Sequence, residues 1–255
     1  MNYNQKKVTK FVVITKQRSG SSWLIDLLNS HEDIRAFGEI FLDRPVEVQP
    51  WNQNTLPPIR FYEFKTFNSN FRPWITWQYL NMINSWTDKY QAVGFKLMYN
   101  HLWHYPEILS KLIFDQYKFI HLIRKNPLDN LLSIQHKKQT GLPHWVGNAE
   151  VKLQKVYLNP QFLINNLERH ENQIYFARMM LRCLPLPVIQ ITYEFLYQNC
   201  QEALKTLGFF LSINPNSFSK SNFNKIAVGS YRDKIENYEE VKELLSSTRF
   251  QSLLD

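Results

Sequence analysis

Arg18-Ser19-Gly20-Ser21-Ser22-Trp23 gathers, in consecutive positions, the groups that hold an oxyanion. Arg18 carries a permanent charge in a planar fork that matches phosphate or sulfonate oxygens. Gly20 lets the backbone approach a ligand closely, and Ser21 and Ser22 add hydroxyl donors. The flanking residues set this stretch at a strand-to-helix turn. Phe11, Val12, Val13 and Ile14 read as a buried strand, and Leu24, Leu27 and Leu28 recur at helical spacing, so a helix starts near Ser21 or Ser22. The first amides of a helix have no internal partners, which makes such a turn an anion cradle. It is not the Walker pattern G-x-x-x-x-G-K-[ST], because the first Gly and the Lys are missing.

A second cationic turn follows another apolar run. Tyr117 to Ile123 reads as a strand, and Arg124-Lys125-Asn126-Pro127 leads into a helix carrying Leu128, Leu131, Leu132 and Ser133. Cations at a strand end with a hydroxyl further along the helix suit a second phosphate. Ser133 lies nine positions after Arg124 and eight after Lys125, so the register is open; Arg124 with Ser133 is favoured, and Lys125 is a secondary contact. Lys96, in Val93-Gly94-Phe95-Lys96-Leu97-Met98, is an interior strand lysine that needs a partner such as a bound anion. Glu39 stands near the end of a further strand, and His101 follows Lys96 closely with an imidazole that titrates near neutrality. His101 and His104 form an H-x-x-H pair without matching carboxylate or Cys spacing, so no metal is expected.

The order Lys/Arg-Ser-Gly-Ser/Thr-Ser/Thr-Trp after a strand resembles the 5′-phosphosulfate loop of sulfotransferases that use 3′-phosphoadenosine 5′-phosphosulfate (PAPS), with Arg18 to Trp23 in register. The Arg124–Ser133 segment resembles the same family's 3′-phosphate motif. The resemblance implies an α/β fold with a P-loop-like parallel sheet of about five strands and helices on both faces. It further implies PAPS as co-substrate, no metal, and sulfonate transfer to a hydroxyl or amine of a small-molecule or glycosidic acceptor. The Gly38-Glu39 step is similar to the bacterial branch typified by trehalose-sulfating and nodulation-factor enzymes, which implies Glu39 as general base. The Lys-x-His step of the eukaryotic cytosolic branch is broken here, since Met98 stands where the His would be; His101 stays open as the second candidate. Tyr193, in Tyr193-Glu194-Phe195-Leu196, resembles the family's adenine-bordering Tyr-Glu-x-Leu step. Lys225 and the Gly229–Lys234 stretch, with Arg232, are expected to close over the nucleotide, although the eukaryotic Arg-Lys-Gly-x-x-Gly motif is absent.

Strands are expected at Lys10–Thr15, Ala36–Phe41, Ala92–Met98, Tyr117–Ile123 and Val188–Tyr193. Helices are expected at Ser22–Ser30, Trp74–Lys89, Pro106–Phe114, Pro127–Thr140, Gln161–Leu181, Glu194–Leu211 and Tyr238–Ser246, a strand–helix alternation that reads as one α/β domain over 1–255. Segments 43–73 and 141–160 resist assignment and are candidate lids or acceptor loops. The first holds Trp51, Phe61, Tyr62, Phe64 and Phe67, and Trp74, Trp77 and Trp86 follow it, the makings of an aromatic acceptor wall or of core. The net charge of +8 without a long Lys/Arg block favours an acidic small ligand over nucleic acid. Cys183 and Cys200 have no metal or framework spacing and are expected to be buried thiols. No run reaches membrane-span length and the N-terminal residues lack a signal-peptide core, so a cytoplasmic protein without membrane insertion is expected. Two rivals remain at this level: an ATP-dependent small-molecule kinase, disfavoured by the missing Walker Lys, and a non-catalytic nucleotide- or nucleic-acid-binding protein.

Overall fold

The computed structural model describes residues 8–45, 48, 53–68, 71–85, 89–140, 154–219 and 229–254. In chain order, β1 (Thr9–Thr15), α1 (Ser21–Asn29) and β2 (Ile34–Glu39) are followed by α2 (Phe61–Thr66) and α3 (Arg72–Ser85). Next come β3 (Ala92–Met98), α4 (Tyr99–His104), α5 (Glu107–Phe114) and β4 (Lys118–Ile123). The chain continues through α6 (Pro127–Thr140), α7 (Pro160–Arg182), β5 (Val188–Thr192), α8 (Tyr193–Gln198), α9 (Cys200–Leu211), α10 (Tyr231–Lys234) and α11 (Tyr238–Ser246). It forms two compact units: Met1–Ile123 with Met179–Ser221, and Arg124–Arg178 with Asn222–Asp255.

The first unit is built on a five-stranded sheet in the order β2-β3-β1-β4-β5, every pair parallel. Each strand feeds a helix that packs back on the sheet, so apolar residues are needed on both faces. Val12, Ile14, Phe95, Leu97 and Phe119 face α3 and α5, where Tyr79, Leu80, Ile108 and Leu112 are buried. Phe11, Val13, Ala92, Ile120 and Leu122 face α1 and α9, packing with Leu24, Leu28, Leu204 and Leu207. The α/β fold with a parallel sheet is therefore the one expected. β1 and β4 are neighbours whose onward connections diverge, to β2 on one side and β5 on the other. Open α/β sheets bind ligands at the carboxyl ends of such a strand pair. β1 runs there into Arg18–Trp23, and Arg124 is the residue after β4.

The second unit packs α6 and α7 with the C-terminal segment. Leu128, Leu132, Leu163, Leu167, Ile235, Val241 and Leu245 form its core, and Val156 bridges Ile235 in parallel. Leu163, Leu167, Ile174 and Leu181, at nearly helical spacing along α7, are all buried.

Local expectations fail where a short element or a single residue decides the outcome. β2 begins at Ile34 and ends at Glu39, not Phe41, because its pairing to β3 begins at Ile34↔Ala92. The long helix expected at Glu194–Leu211 is two helices, broken at Asn199, whose φ of −129° and ψ of 50° are not helical. Thr192 caps the start of α8, its hydroxyl accepting from the Phe195 amide at 3.1 Å. Segment 43–73 contains α2, which buries only Phe61 and so shows no periodic stripe. Cys183 is exposed just past the end of α7 and Cys200 is half-buried at the start of α9, so the expectation of two buried thiols is corrected. Segment 141–153, Trp51, Trp86 and Lys225 lie outside the described residues.

Gly94 on β3 pairs with Phe11 on β1. A Cβ there would sit 2.3 Å from the Phe11 carbonyl oxygen and 2.5 Å from its ring. Gly94→Ala is expected to lower stability by about 1–3 kcal/mol through this overpacking. Urea denaturation checks it, and an unchanged midpoint would mean the strands separate without penalty.

Candidate active site

The cradle after β1 owes its shape to two left-handed residues. Gly20 has φ 81° and Arg18 has φ 64°. For Gly20 the conformation is free of Cβ strain; for Arg18 it costs about 1 kcal/mol, a kind of strain that clusters at functional sites. Gly20 is also the N-cap of α1 and makes no side-chain cap, so the first-turn amides have no intrahelical acceptor. A Cβ on Gly20 would fall 2.3 Å from the Tyr193 ring, which therefore lies directly against the turn. Trp23 meets Tyr193 edge-on with centroids 6.0 Å apart, and Tyr197 stacks beyond at 6.2 Å from Tyr193. Ser19 is fully buried, and its hydroxyl has no hydrogen-bond partner among the described residues. A buried orphan hydroxyl in an amide-lined turn fits a phosphate ligand. Arg18 is half-buried beside it.

Lys96 lies in a strand buried at every position and is itself 6% exposed. Its ammonium is 3.2 Å from Glu39 Oε1 and donates to Ser22 Oγ at 3.2 Å. Glu39 reaches Lys96 through an irregularity in β2: Phe37 pairs with Phe95, yet Glu39 pairs with Lys96, so Gly38 is an extra residue. Without that bulge Glu39 would point to the opposite face of the sheet. His101 sits in α4 and is buried. Its Nδ1 accepts the Met98 amide at 3.3 Å, and its Nε2 lies 3.9 Å from Glu39 Oε2. Burial holds its imidazole below the ordinary value, Glu39 pulls it upward, and Lys96 and His104 push it down; burial prevails.

In the second unit Arg124 is buried, while Lys125 is exposed. Arg124 donates through Nη2 to Asp129 Oδ2 at 3.0 Å, and its carbonyl accepts from His170 Nε2 at 3.0 Å. Ser133 is half-buried on α6. Arg232, expected at the nucleotide, is 71% exposed in its side chain and engaged with Glu239, over the ring of Tyr238. Asp129, Asn126, His170 and Tyr231 were not expected around Arg124. Asn126-Pro127 followed by Asp129 is a legible helix start, and Tyr231 lies in the Gly229–Lys234 stretch expected over the nucleotide; nothing in the sequence pointed to His170.

The model of the sulfotransferase domain family matches residues 8–250. The chain belongs to that family. Sulfotransferases of this family move a sulfonate from PAPS to an acceptor, so the chain is a PAPS-dependent transferase rather than a kinase or a non-catalytic binder. Among solved structures it is similar to a sulfotransferase from Alicyclobacillus acidocaldarius, at 16% identity over 97% of this chain and 96% of that one, TM-score 0.46. It is also similar to a mouse sulfotransferase complexed with PAP, at 17% identity over 96% and 88%, TM-score 0.44. The sulfotransferase domain of the curacin biosynthetic pathway matches at 19% identity over 98% and 90%, TM-score 0.49. No curated protein matches the sequence. Among the described residues of this sulfotransferase, no helix is long and apolar enough to cross a membrane, and no His/Cys/Asp/Glu group is arranged to hold a metal.

The position of His101 carries a pH signature. A histidine whose folded pKa lies below its unfolded value of about 6.5 stabilises fully above that pH and loses the contribution as pH falls through the folded value. Wild type is therefore expected to lose stability below about pH 6.5 more steeply than His101→Gln. Thermal melts across pH 5–8 check this, and parallel slopes for the two proteins would refute it.

Proposed function

We propose that this sulfotransferase acts on a hydroxyl or amine of a small-molecule or glycosidic acceptor, with Glu39 as general base. The observation that carries the reading is the convergence of Ser22, Lys96, Glu39 and His101 at the carboxyl edge of the sheet, beside the Arg18–Trp23 turn. In this reading Arg18, Ser19, Gly20, Ser21, Ser22 and Trp23 hold the 5′-phosphosulfate, and Tyr193 borders the adenine. Arg124 with Ser133 grips the 3′-phosphate; the burial of Arg124 and the exposure of Lys125 support that register. Lys125 and Arg232 are then peripheral contacts.

The reaction breaks the bond from sulfur to the phosphate oxygen and forms one from sulfur to the acceptor. Negative charge grows on the leaving phosphate and the equatorial sulfonate oxygens, where Arg18 and Lys96 offset it. The acceptor proton goes to the base. Glu39 suits that role better than His101 for a tautomeric reason. His101 Nδ1 already accepts the Met98 amide, so in the neutral ring the proton sits on Nε2, the nitrogen nearer Glu39. Neither nitrogen of that neutral ring offers a lone pair to an acceptor. Glu39, half-buried at the end of β2, is a carboxylate that can take a proton where that neutral ring cannot.

Transfer from labelled PAPS to a panel of alcohols and amines identifies the acceptor class. With an alcohol, Glu39→Gln is expected to lower kcat by about 10²–10⁴, with PAP affinity little changed. His101→Gln is expected to stay within about tenfold of wild type, because it retains a donor near Nε2. A near-normal Glu39→Gln enzyme beside a dead His101→Gln enzyme would move the base to His101.

A further inference from the structure

Arg124 is held by more than its own carboxylate partner. Asp129 Oδ2 takes its Nη2, while Asp129 Oδ1 accepts the Tyr231 hydroxyl at 3.2 Å. That hydroxyl accepts in turn from Asn126 Nδ2 at 2.9 Å. Asn126 is itself fixed, because its Oδ1 caps α6 by accepting the amides of Leu128 and Asp129 at 2.9 and 3.1 Å. The donors therefore run in one direction, from Asn126 to Tyr231 to Asp129, with Arg124 donating to the same carboxylate from its other side. Burial and the neighbouring Asp129 push the Tyr231 phenol above its ordinary range, so it stays a protonated donor at neutral pH.

We infer that Asp129 and Tyr231 are positioning residues that fix the Arg124 guanidinium for the 3′-phosphate, and that Tyr231 ties α10 to this phosphate site. The inference rests on the reading of Arg124 as the 3′-phosphate ligand. A carboxylate that takes one edge of the guanidinium removes its rotameric freedom and leaves its other N–H groups pre-aimed, so less order is lost when a phosphate binds. The carboxylate can rotate unless its second oxygen is also held, which is what the Tyr231 hydroxyl does. The benefit is confined to nucleotides bearing a 3′-phosphate. AMP, which lacks that phosphate, does not draw on it.

Tyr231→Phe removes one oxygen and no charge, and calorimetry with PAP and AMP reads its effect. PAP affinity is expected to fall about threefold to tenfold, the worth of one net hydrogen bond, while AMP affinity and kcat at saturating PAPS hold. Asn126→Ser, which keeps a capping oxygen but loses the amide donor, should move the PAP-to-AMP ratio the same way and serves if the phenylalanine variant does not fold. A general structural loss would lower both nucleotides together and would overturn the inference, as would an unchanged ratio. Tighter PAP binding would also overturn it, because Asp129 would then be competing with the phosphate. Arg124→Ala separates this inference from the reading beneath it. If that variant leaves the PAP-to-AMP ratio at the wild-type value, the 3′-phosphate assignment of Arg124 fails; if it abolishes the preference while Tyr231→Phe does not alter it, only the positioning role fails.

Discussion

A lysine ammonium buried in the interior of β3 is the constraint around which the first unit is organised. Removing such a charge from water costs several kcal/mol unless a counter-charge and hydrogen bonds replace the solvent. Lys96 obtains both from different parts of the chain: the Glu39 carboxylate from β2 and the Ser22 hydroxyl from the first turn of α1. One cation thus bridges three elements at the edge where the sheet opens. A buried ion pair is a poor device for stability compared with apolar packing. Its presence amid a strand otherwise made of apolar side chains and Gly94 is what a site for anionic chemistry would require.

The neighbouring backbone is shaped to the same end. The bulge at Gly38 turns Glu39 onto the Lys96 face, and the left-handed pair Arg18 and Gly20 bends the chain so that α1 starts where β1 stops. Tyr193 closes against Gly20 so tightly that no other residue fits the turn without moving the ring. Ser19 is left with a buried hydroxyl that only a ligand or water can satisfy among the described surroundings. These features are local concessions in stability, and the two apolar faces of the sheet offset them.

Much of this was legible in the residues. Phe11–Ile14, Ala92–Met98 and the stretch ending at Ile123 are apolar runs bounded by polar turns, and they became β1, β3 and β4. The Arg18–Trp23 turn and the Arg124–Ser133 segment carry side chains whose chemistry is independent of context, so both could be read as phosphate sites. α6 and α11 came out with the expected ends because Pro127 starts one and an apolar stripe sustains both. The short helices escaped: α2 and α4 each bury a single side chain, too few to leave a period. The break at Asn199 escaped as well, since the apolar spacing continues across it. Cys183 was misread because its neighbours are apolar while its own position lies past the last turn of α7.

What the sequence by itself determined was the alternation of elements, and the residue types and order of the two turns that read as anion sites. Those depend on neighbours a few positions apart, and periodicity and residue chemistry report them directly. Tertiary structure alone decided which carboxylate meets Lys96, which nitrogen of His101 carries the proton, and what surrounds Arg124. The carboxylate and the surroundings of Arg124 turn on one extra residue in a strand and on a group distant in the chain; the tautomer turns on how α4 folds His101 back onto the Met98 amide. Gly38 shifts Glu39 to the other face, the Met98 amide selects the His101 tautomer, and Tyr231 reaches Asp129 from far along the chain. A strand's period is two, so a single inserted residue reverses the face of the side chain that follows it, and no pattern in the sequence marks where that happens.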